Sequence, residues 1–443
     1  MSYRSWLPNL GKEDEMLKEI GVSKIDDLFI DIPEKIRLKR ELNVGFGRAL
    51  TEPEVLKVLN ELREKNAKLK YPPFLGAGAC PHYVPEVLKF LIFRSEFYTA
   101  YTPYQQEISQ GILQALYEYQ SVVAELLEME VVNASMYDWA SSLAEAMLMA
   151  VRVTGRKKVV IPEAMNPYHK EVLKTWLWGR GVEIVEVPLN KETGETDFSE
   201  VDADGAAAIY IQQPNFYGVL ESDPKAVVDL AKSKGTISIM GMSLLASALF
   251  KPPGEFGFDI AVSDGQEFGL PLNFGGPYVG VLATRWDGKL VRQMPGRIVG
   301  ETVDSDNRRA YTLILQTREQ FTRREKATSN ITTNETLMAI AVAIYASLLG
   351  YNGLRDLAEE VYNRSHTAFE EFVKAGAKGV FSSDFFEEFA LDFDKDYDVI
   401  HRKLLERGIH GGLKLGPRRA LFCVTEVHPP EAIREVAEVI RGA

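Results

Sequence analysis

Cysteine is nearly absent from this sequence. The 443 residues include only Cys80 and Cys423. Two cysteines this far apart give neither a disulfide framework nor the short spacing of a metal site. So few cysteines are consistent with a protein of a reducing compartment. The six histidines form no pair at helical spacing, so the sequence predicts no metal site.

An excess of positive charge and a long apolar run are also missing. The formal net charge is -12, which argues against non-specific binding to nucleic acid or to anionic membranes. No apolar run approaches the roughly 20 residues of a transmembrane helix, and the first sixteen residues, MSYRSWLPNLGKEDEM, hold no apolar core of signal-peptide length. These features predict a soluble, cytoplasmic protein with neither a nucleic acid nor a membrane as partner.

Lysine is missing where a cofactor enzyme would need it. The stretch from Gly257 to Thr284 reads as a buried strand, a glycine-rich turn and a second buried strand, which is where α/β enzymes usually keep a cofactor site. Yet no lysine lies between Lys251 and Lys289. The sequence also contains no phosphate-binding P-loop and no G-x-S-x-G motif, and its glycines do not fit a dinucleotide fingerprint.

Short apolar strands alternate with helices through the middle of the chain, which predicts a largely parallel sheet covered by helices on both faces. We expect a helical N-terminal segment over residues 1–70, a large α/β domain over 71–345 and a small C-terminal α+β domain over 346–443. The predicted strands are Lys158–Ile161, Glu183–Val187, Ala207–Gln212, Thr236–Met240, Ile260–Ser263 and Val279–Thr284.

A polar and aromatic segment begins the long helix predicted from Glu107 to Glu128. Tyr101, Tyr104, Gln105 and Glu107 follow no core periodicity. Two tyrosines, an amide and a carboxylate can line a pocket for a small zwitterion. Because aromatic residues are also enriched at protein interfaces, the segment fits an interface loop equally well.

Two further segments have the chemistry to hold a phosphate. Ser141 and Ser142 lie at a predicted helix N-terminus, where backbone N–H groups attract anions, although ordinary N-capping is much commoner. The run from residue 323 to 334 is basic and then rich in hydroxyls and amides. It can bind a phosphate, or it can be a solvated charged run capped by Thr333 or Asn334.

Five sequence blocks, taken together and in order, resemble a known family. The blocks are FLGAGACPHYVP, YTAYTPYQQEISQG, QQPNFYG, DGQEFGLPLNFGGPYVG and RREKATSNITTNE. They resemble the N-terminal half of glycine decarboxylase, the P-protein of the glycine cleavage system, and within it subunit 1 (α) of the form that is split into two homologous subunits. The resemblance covers nearly the whole chain. It implies the α/β architecture of fold type I transferases dependent on pyridoxal phosphate (PLP), which are similar to aspartate aminotransferase.

The resemblance also implies a requirement that this chain does not meet. The family's chemistry needs a lysine amine to hold PLP and an acidic residue on a preceding strand to keep the pyridine nitrogen protonated. The matching stretch, residues 263–268, offers Gln266 and Glu267 but no amine, and residues 238–242 offer Met240 or a neighbour instead of an acid. We therefore expect that this chain alone does not bind PLP covalently.

A division of labour between two subunits follows from the resemblance. Subunit 2 (β) is expected to hold PLP, in an α2β2 assembly that decarboxylates glycine, releases CO2 and passes the aminomethyl group to the lipoyl arm of H-protein. Across the interface, this chain is expected to contribute side chains near glycine and near the PLP phosphate. The glycine candidates are Tyr101, Tyr104, Gln105 and Glu107, and the phosphate candidates are Thr328, Asn330 and Thr332.

Two alternatives remain open from the sequence. The chain can be a stand-alone PLP enzyme, such as an aminotransferase, that uses a displaced lysine at Lys251 or Lys289. It can also be a structural or regulatory partner that contributes no active-site residue.

Overall fold

A computed structural model of the chain describes residues 8–40, 44–199, 201–316, 319–331 and 335–442. The chain divides into two compact units, Met1–Lys68 and Leu69–Ala443. The predicted boundary between residues 345 and 346 lies inside the second unit and stays a prediction.

The described helices and strands have the following bounds. The helices are α1 Glu13–Ile20, α2 Glu52–Arg63, α3 Glu86–Ile92, α4 Ser95–Tyr98, α5 Gln110–Leu127, α6 Trp139–Thr154, α7 Pro167–Trp178, α8 Pro224–Lys234, α9 Pro253–Phe256, α10 Gly288–Gln293, α11 Gln320–Arg323, α12 Thr336–Lys374, α13 Tyr397–Glu406 and α14 Pro430–Gly442. The strands are β1 Val131–Val132, β2 Lys158–Pro162, β3 Glu183–Val187, β4 Ala208–Gln213, β5 Ile237–Met242, β6 Ile260–Asp264, β7 Gly280–Thr284, β8 Ile298–Val303, β9 Arg309–Ile314, β10 Lys378–Gly379, β11 Glu388–Asp392, β12 Leu413–Gly416 and β13 Arg419–Cys423.

The N-terminal unit contains α1 and α2 and leaves much apolar surface in contact with solvent. Thr51 and Glu54 have the spacing of a capping box, which predicts a helix from there to about Leu69. The capping box is present at the start of α2, where Thr51 N–H donates to the Glu54 carboxylate at 2.8 Å. The helix ends at Arg63, six residues before the predicted Leu69. Along α2 the exposed apolar side chains are Val55, Leu56, Leu59 and Leu62. An exposed apolar face of this kind is typical of a surface that another protein covers.

The second unit is built on a seven-stranded sheet in the order β1-β7-β6-β5-β4-β2-β3. Strands β3, β2, β4, β5 and β6 are parallel neighbours, and β7 pairs with β6 in the antiparallel sense. This confirms the predicted α/β class, with strand bounds that differ from the prediction by at most two residues. The carboxyl ends of the parallel strands share one edge of the sheet, which is where ligands of open α/β sheets bind.

Helices cover both faces of this sheet. Side chains of α5, α8 and α12 share one buried cluster with β4 to β7, and side chains of α6 and α7 share another with the opposite face. By length and composition alone, α12 could cross a membrane. Ala341, Val342 and Tyr345 of α12 are buried in the first cluster, however, and a core helix of a soluble protein passes the same test.

Two smaller sheets complete the unit. A four-stranded antiparallel sheet in the order β10-β11-β13-β12 packs with α12, α13 and α14 around its own apolar cluster. The hairpin of β8 and β9 was not predicted, because the polar sequence after Arg297 reads as a loop. The second half of β8 gives little strand signal, since Glu301, Thr302 and Val303 are all exposed, and period-2 alternation is the signal by which a strand is recognised.

The structure corrects the interpretation of the two cysteines. Cys80 and Cys423 form a disulfide across 343 residues of sequence, because the end of β13 lies beside the segment that contains Cys80. Cys423 N–H donates to the Phe74 carbonyl at 2.9 Å in the same place. Sequence spacing carries no signal of such a long-range contact. The predicted cytoplasmic location, and the predicted absence of nucleic-acid and membrane binding, stay predictions.

Candidate functional site

The carboxyl ends of β5 and β6 lack the groups that would hold PLP. Gln266 lies in the stretch where the amine is expected, is 2% exposed, and donates both to the Cys80 carbonyl at 2.9 Å and to the Leu270 carbonyl at 3.2 Å. Met240 lies in β5 between Ile211 and Ala261, fully buried. The amide of Gln266 stands in place of the amine, and its N–H groups are already hydrogen-bonded. The thioether of Met240 stands in place of the acid. These residues therefore do not fit covalently bound PLP.

The N-terminus of α6 is not available to bind a phosphate either. The Asp138 carboxylate accepts from Ser141 N–H at 2.7 Å. The hydroxyls of Ser141 and Ser142 both donate to the Asp138 backbone carbonyl, at 3.0 and 2.7 Å. A negative side chain already caps this helix, which is the ordinary N-cap arrangement, and it would repel a phosphate.

The two displaced lysines lie away from this edge of the sheet. Lys251 is 66% exposed and pairs with Glu255 at 2.7 Å. Lys289 is exposed on α10, which follows β7. Because β7 is antiparallel to β6, its last residue lies at the opposite edge from the carboxyl ends of the parallel strands. The stand-alone PLP enzyme is therefore not supported by the position of either amine.

In the tyrosine loop, residues 101–107, Thr102 and Pro103 are buried and Tyr104 is anchored by a hydrogen bond. The Tyr104 hydroxyl accepts from Arg297 Nη2 at 2.7 Å, and the Arg297 guanidinium lies 5.1 Å from the centre of the Tyr104 ring. Arg297 is 3% exposed and also pairs with Glu319 at 3.4 Å. Tyr101, Gln105 and Glu107 are exposed, so the loop presents its polar groups outward on a fixed base.

Two of the three predicted phosphate residues line one cavity. Thr328 and Asn330 line a cavity of about 500 Å³. Arg152 and Arg180 also line it, as does Glu145, whose pKa is raised by burial. Thr332 lies outside the described residues. Among the described residues that line this cavity, none belongs to the tyrosine loop.

A buried group of acidic residues surrounds His82 and was not predicted from the sequence. His82 Nδ1 lies 2.9 Å from Glu426 Oε2, and His82 Nε2 lies 3.6 Å from Glu387 Oε2. Glu267 belongs to the same group and accepts from Ser243 Oγ at 2.8 Å. These ligand-type atoms come from positions 82, 267, 387 and 426, so no local motif could have pointed to them.

Burial and mutual repulsion shift the titration of this group. Burial raises the pKa of Asp264 and that of Glu388 to about 8, and it raises the pKa of Glu267 as well. Burial alone would lower the pKa of His82, but the negative charges of Glu387 and Glu426 outweigh it and raise that pKa to about 10. The pocket therefore favours positive charge.

Comparison with known families now identifies the class of protein. The family model described as "Glycine cleavage system P-protein" matches residues 5–440. The chain belongs to this P-protein family. A relative from Sulfurisphaera tokodaii, named probable glycine dehydrogenase (decarboxylating) subunit 1, is 62% identical over 445 residues, with 100% of this chain and 99% of the relative covered. A relative of the same name from Sulfolobus acidocaldarius is 60% identical, with 99% and 100% covered.

Solved structures agree with the family. A crystal structure of glycine decarboxylase (P-protein) in an inhibitor-bound form matches with a TM-score of 0.91 and 40% identity, over 100% of both chains. A glutamate decarboxylase from Lactobacillus brevis matches with a TM-score of 0.66 at 12% identity, covering 92% of this chain and 95% of the other. An aspartate aminotransferase from Thermus thermophilus matches with a TM-score of 0.58 at 14% identity, covering 84% and 98%. The last two share only the fold, which confirms the predicted transferase-like architecture of this P-protein family member.

Proposed function

We propose that this chain is the subunit of glycine decarboxylase that does not carry the PLP lysine, and that it acts together with a homologous subunit 2. Subunit 2 holds PLP in an assembly of two copies of each subunit. The complex decarboxylates glycine, releases CO2 and passes the aminomethyl group to the lipoyl arm of H-protein. The relatives named subunit 1 support a two-subunit enzyme.

The observation that carries this proposal is the replacement of both PLP-holding groups. Gln266 is held by two backbone carbonyls and has no nucleophilic amine. Met240 is buried in the middle of the sheet, so no carboxylate is available there to pair with a pyridine nitrogen. Two independent chemical requirements fail at one edge of the sheet, and a P-protein active site must then be completed by another chain.

The exposed aromatic surface of the second unit supports a protein partner. Between residues 83 and 108, six large apolar or aromatic side chains are more than half exposed, namely Tyr83, Phe90, Phe93, Tyr98, Tyr101 and Ile108. A concentration of exposed aromatic residues is typical of protein interfaces. The tyrosine loop lies within this stretch, so a partner that covers the stretch also covers the loop.

The chemistry of the tyrosine loop suits glycine as a zwitterion. We propose that the exposed Glu107 carboxylate attracts the ammonium group and that Gln105 and the tyrosine hydroxyls hydrogen-bond the carboxylate. Tyr104 accepts from Arg297, so its own proton is left to donate outward. Thr328, Asn330 and Thr332 remain our proposed contacts to the phosphate of the PLP in subunit 2.

A labelling experiment tests the division of labour. The full-length chain alone, incubated with PLP and reduced with borohydride, should carry no stoichiometric PLP adduct on any one lysine, because no amine lies where the family chemistry needs one. Subunit 2, treated in the same way, is the matched control and should carry one adduct. Peptide mass spectrometry gives the site. One defined adduct on this chain, at Lys251 or Lys289 for example, would overturn the proposal.

A further inference from the structure

The buried acidic group around His82 has two polar atoms that no hydrogen bond satisfies. Among the described residues, His82 Nε2 and Glu387 Oε2 are both buried and have no hydrogen-bond partner. Their side chains are 1% and 9% exposed, and the two atoms lie 3.6 Å apart, too far for a hydrogen bond. An unsatisfied buried polar atom is costly, so two of them facing each other indicate a missing third group.

The spacing of these atoms is that of ligands around a small cation. The ligand atoms of His82, Glu267 and Glu387 all lie within 4.8 Å of one another. Two ligands that are each about 2.1 Å from a tetrahedral metal lie about 3.4 Å apart, close to the 3.6 Å between His82 Nε2 and Glu387 Oε2. A second possible group, of Cys80 with Glu387 and Glu388, is less suitable because the Cys80 sulfur is bonded to Cys423.

The opposite side of the imidazole is arranged as it is in metal sites. His82 Nδ1 lies 2.9 Å from Glu426 Oε2, and the other oxygen of Glu426 accepts from Tyr83 N–H at 2.6 Å. A carboxylate that accepts from one ring nitrogen holds the ring in place, and the other nitrogen can bind a metal in exchange for its proton. Glu426 thus holds the ring, and Nε2 faces Glu267 and Glu387.

The number of buried carboxyl groups in the pocket also favours a cation. Asp264, Glu267, Glu387, Glu388 and Glu426 lie in or beside it. Among the described residues, only His82 is a basic side chain within ion-pair distance of these carboxylates. Buried carboxylates are tolerated when they are paired or coordinate a metal.

We propose that His82 Nε2 and the carboxylates of Glu267 and Glu387 bind a first-row divalent transition cation, such as Zn²⁺ or Mn²⁺, at the edge of the sheet where PLP does not fit. One nitrogen and two carboxylate oxygens are a donor set that such metals accept. Glu267 follows β6, Glu387 precedes β11 of the small sheet, and His82 belongs to the segment bonded to β13 through Cys80. The ion would therefore join three separate parts of the second unit, as a structural cation.

A titration of the full-length chain, cleared of metal with a chelator, tests this site without using glycine turnover as the readout. Calorimetry with Zn²⁺ and electron paramagnetic resonance with Mn²⁺ should each give one saturable site. Glu426→Gln should weaken metal binding by roughly 10–100-fold, because Glu426 supports a ligand but does not bind the metal itself. Glu387→Gln removes a ligand and should weaken metal binding more. The melting temperature of the wild type should rise with metal, and that of Glu387→Gln should not.

The matched control is His366→Gln. His366 Nε2 also pairs with a carboxylate, that of Asp384 at 2.8 Å, but it belongs to neither group of ligand atoms, so this variant should bind metal normally. X-ray absorption of the Zn²⁺-loaded wild type should show nitrogen and oxygen ligands, a result that needs no variant to fold. The proposal is wrong if the wild type binds neither ion, which would leave His82 as a protonated partner of Glu387, or if Glu387→Gln and Glu267→Gln bind as tightly as the wild type.

Discussion

Tyr104→Phe is expected to lower the rate of glycine–bicarbonate exchange about 100-fold in the complex of this chain with subunit 2. A loss of this size is typical when one well-placed hydrogen-bond donor is removed or the substrate is slightly misplaced. The Tyr104 hydroxyl accepts from Arg297 Nη2 at 2.7 Å. Arg297 is buried and held by Glu319, so the acceptor side of the hydroxyl is occupied. The hydroxyl proton must then point away from Arg297, toward whatever covers the loop.

The design separates an active-site contribution from a purely structural one. Tyr168→Phe is the matched control, because Tyr168 is 75% exposed on α7 and lies outside the tyrosine loop. Assembly of each variant with subunit 2 is measured by analytical ultracentrifugation, and exchange is measured with labelled bicarbonate. If Tyr104→Phe and a companion Glu107→Gln both assemble and exchange at the wild-type rate, the chain is a structural or regulatory partner and our proposal fails.

The large sheet could be predicted because its signal is local. Strands such as β4, Ala208–Gln213, and β6, Ile260–Asp264, are buried and begin with apolar runs, and parallel strands buried on both faces read as continuous apolar runs. The hairpin of β8 and β9 escaped prediction because neither strand is a continuous apolar run: β8 is exposed from Glu301 to Val303, and β9 begins at the exposed Arg309. Helix α2 was predicted too long because helix ends are set by a few terminal contacts and not by the apolar period.

The candidate site could be predicted only where a defined residue type is required. The absence of an amine near Gln266 is visible in the sequence, since no other side chain can replace a lysine in that chemistry. The contacts of His82 with Glu387 and Glu426, and the bond between Cys80 and Cys423, depend on how β11 and β13 lie against the segment before α3. Such contacts span more than 300 residues of sequence, and neither periodicity nor spacing encodes them.

Gly218→Ala should destabilise the chain by about 3–5 kcal/mol, the sum of a left-handed backbone penalty and a steric clash. Gly218 has a φ of +81°, and a Cβ added there would lie 1.8 Å from the Glu388 carbonyl oxygen. That atom belongs to the backbone of β11, so no side-chain rotation relieves the overlap. Phe386 N–H also donates to the Gly218 carbonyl at 2.9 Å, which ties the two segments together.

Gly181→Ala measures the cost of the left-handed backbone conformation without the steric clash. Gly181 has a φ of +62° and no atom within 4 Å of an added Cβ, so its substitution should cost only about 1–2 kcal/mol. Denaturant unfolding of both variants gives the comparison, and equal destabilisation would show that the turn at Gly218 does not touch β11. Because Glu388 follows Glu387 directly, a displaced β11 would also move the carboxylate that faces His82. We therefore expect Gly218→Ala, and not Gly181→Ala, to weaken the binding of Zn²⁺ to the chain.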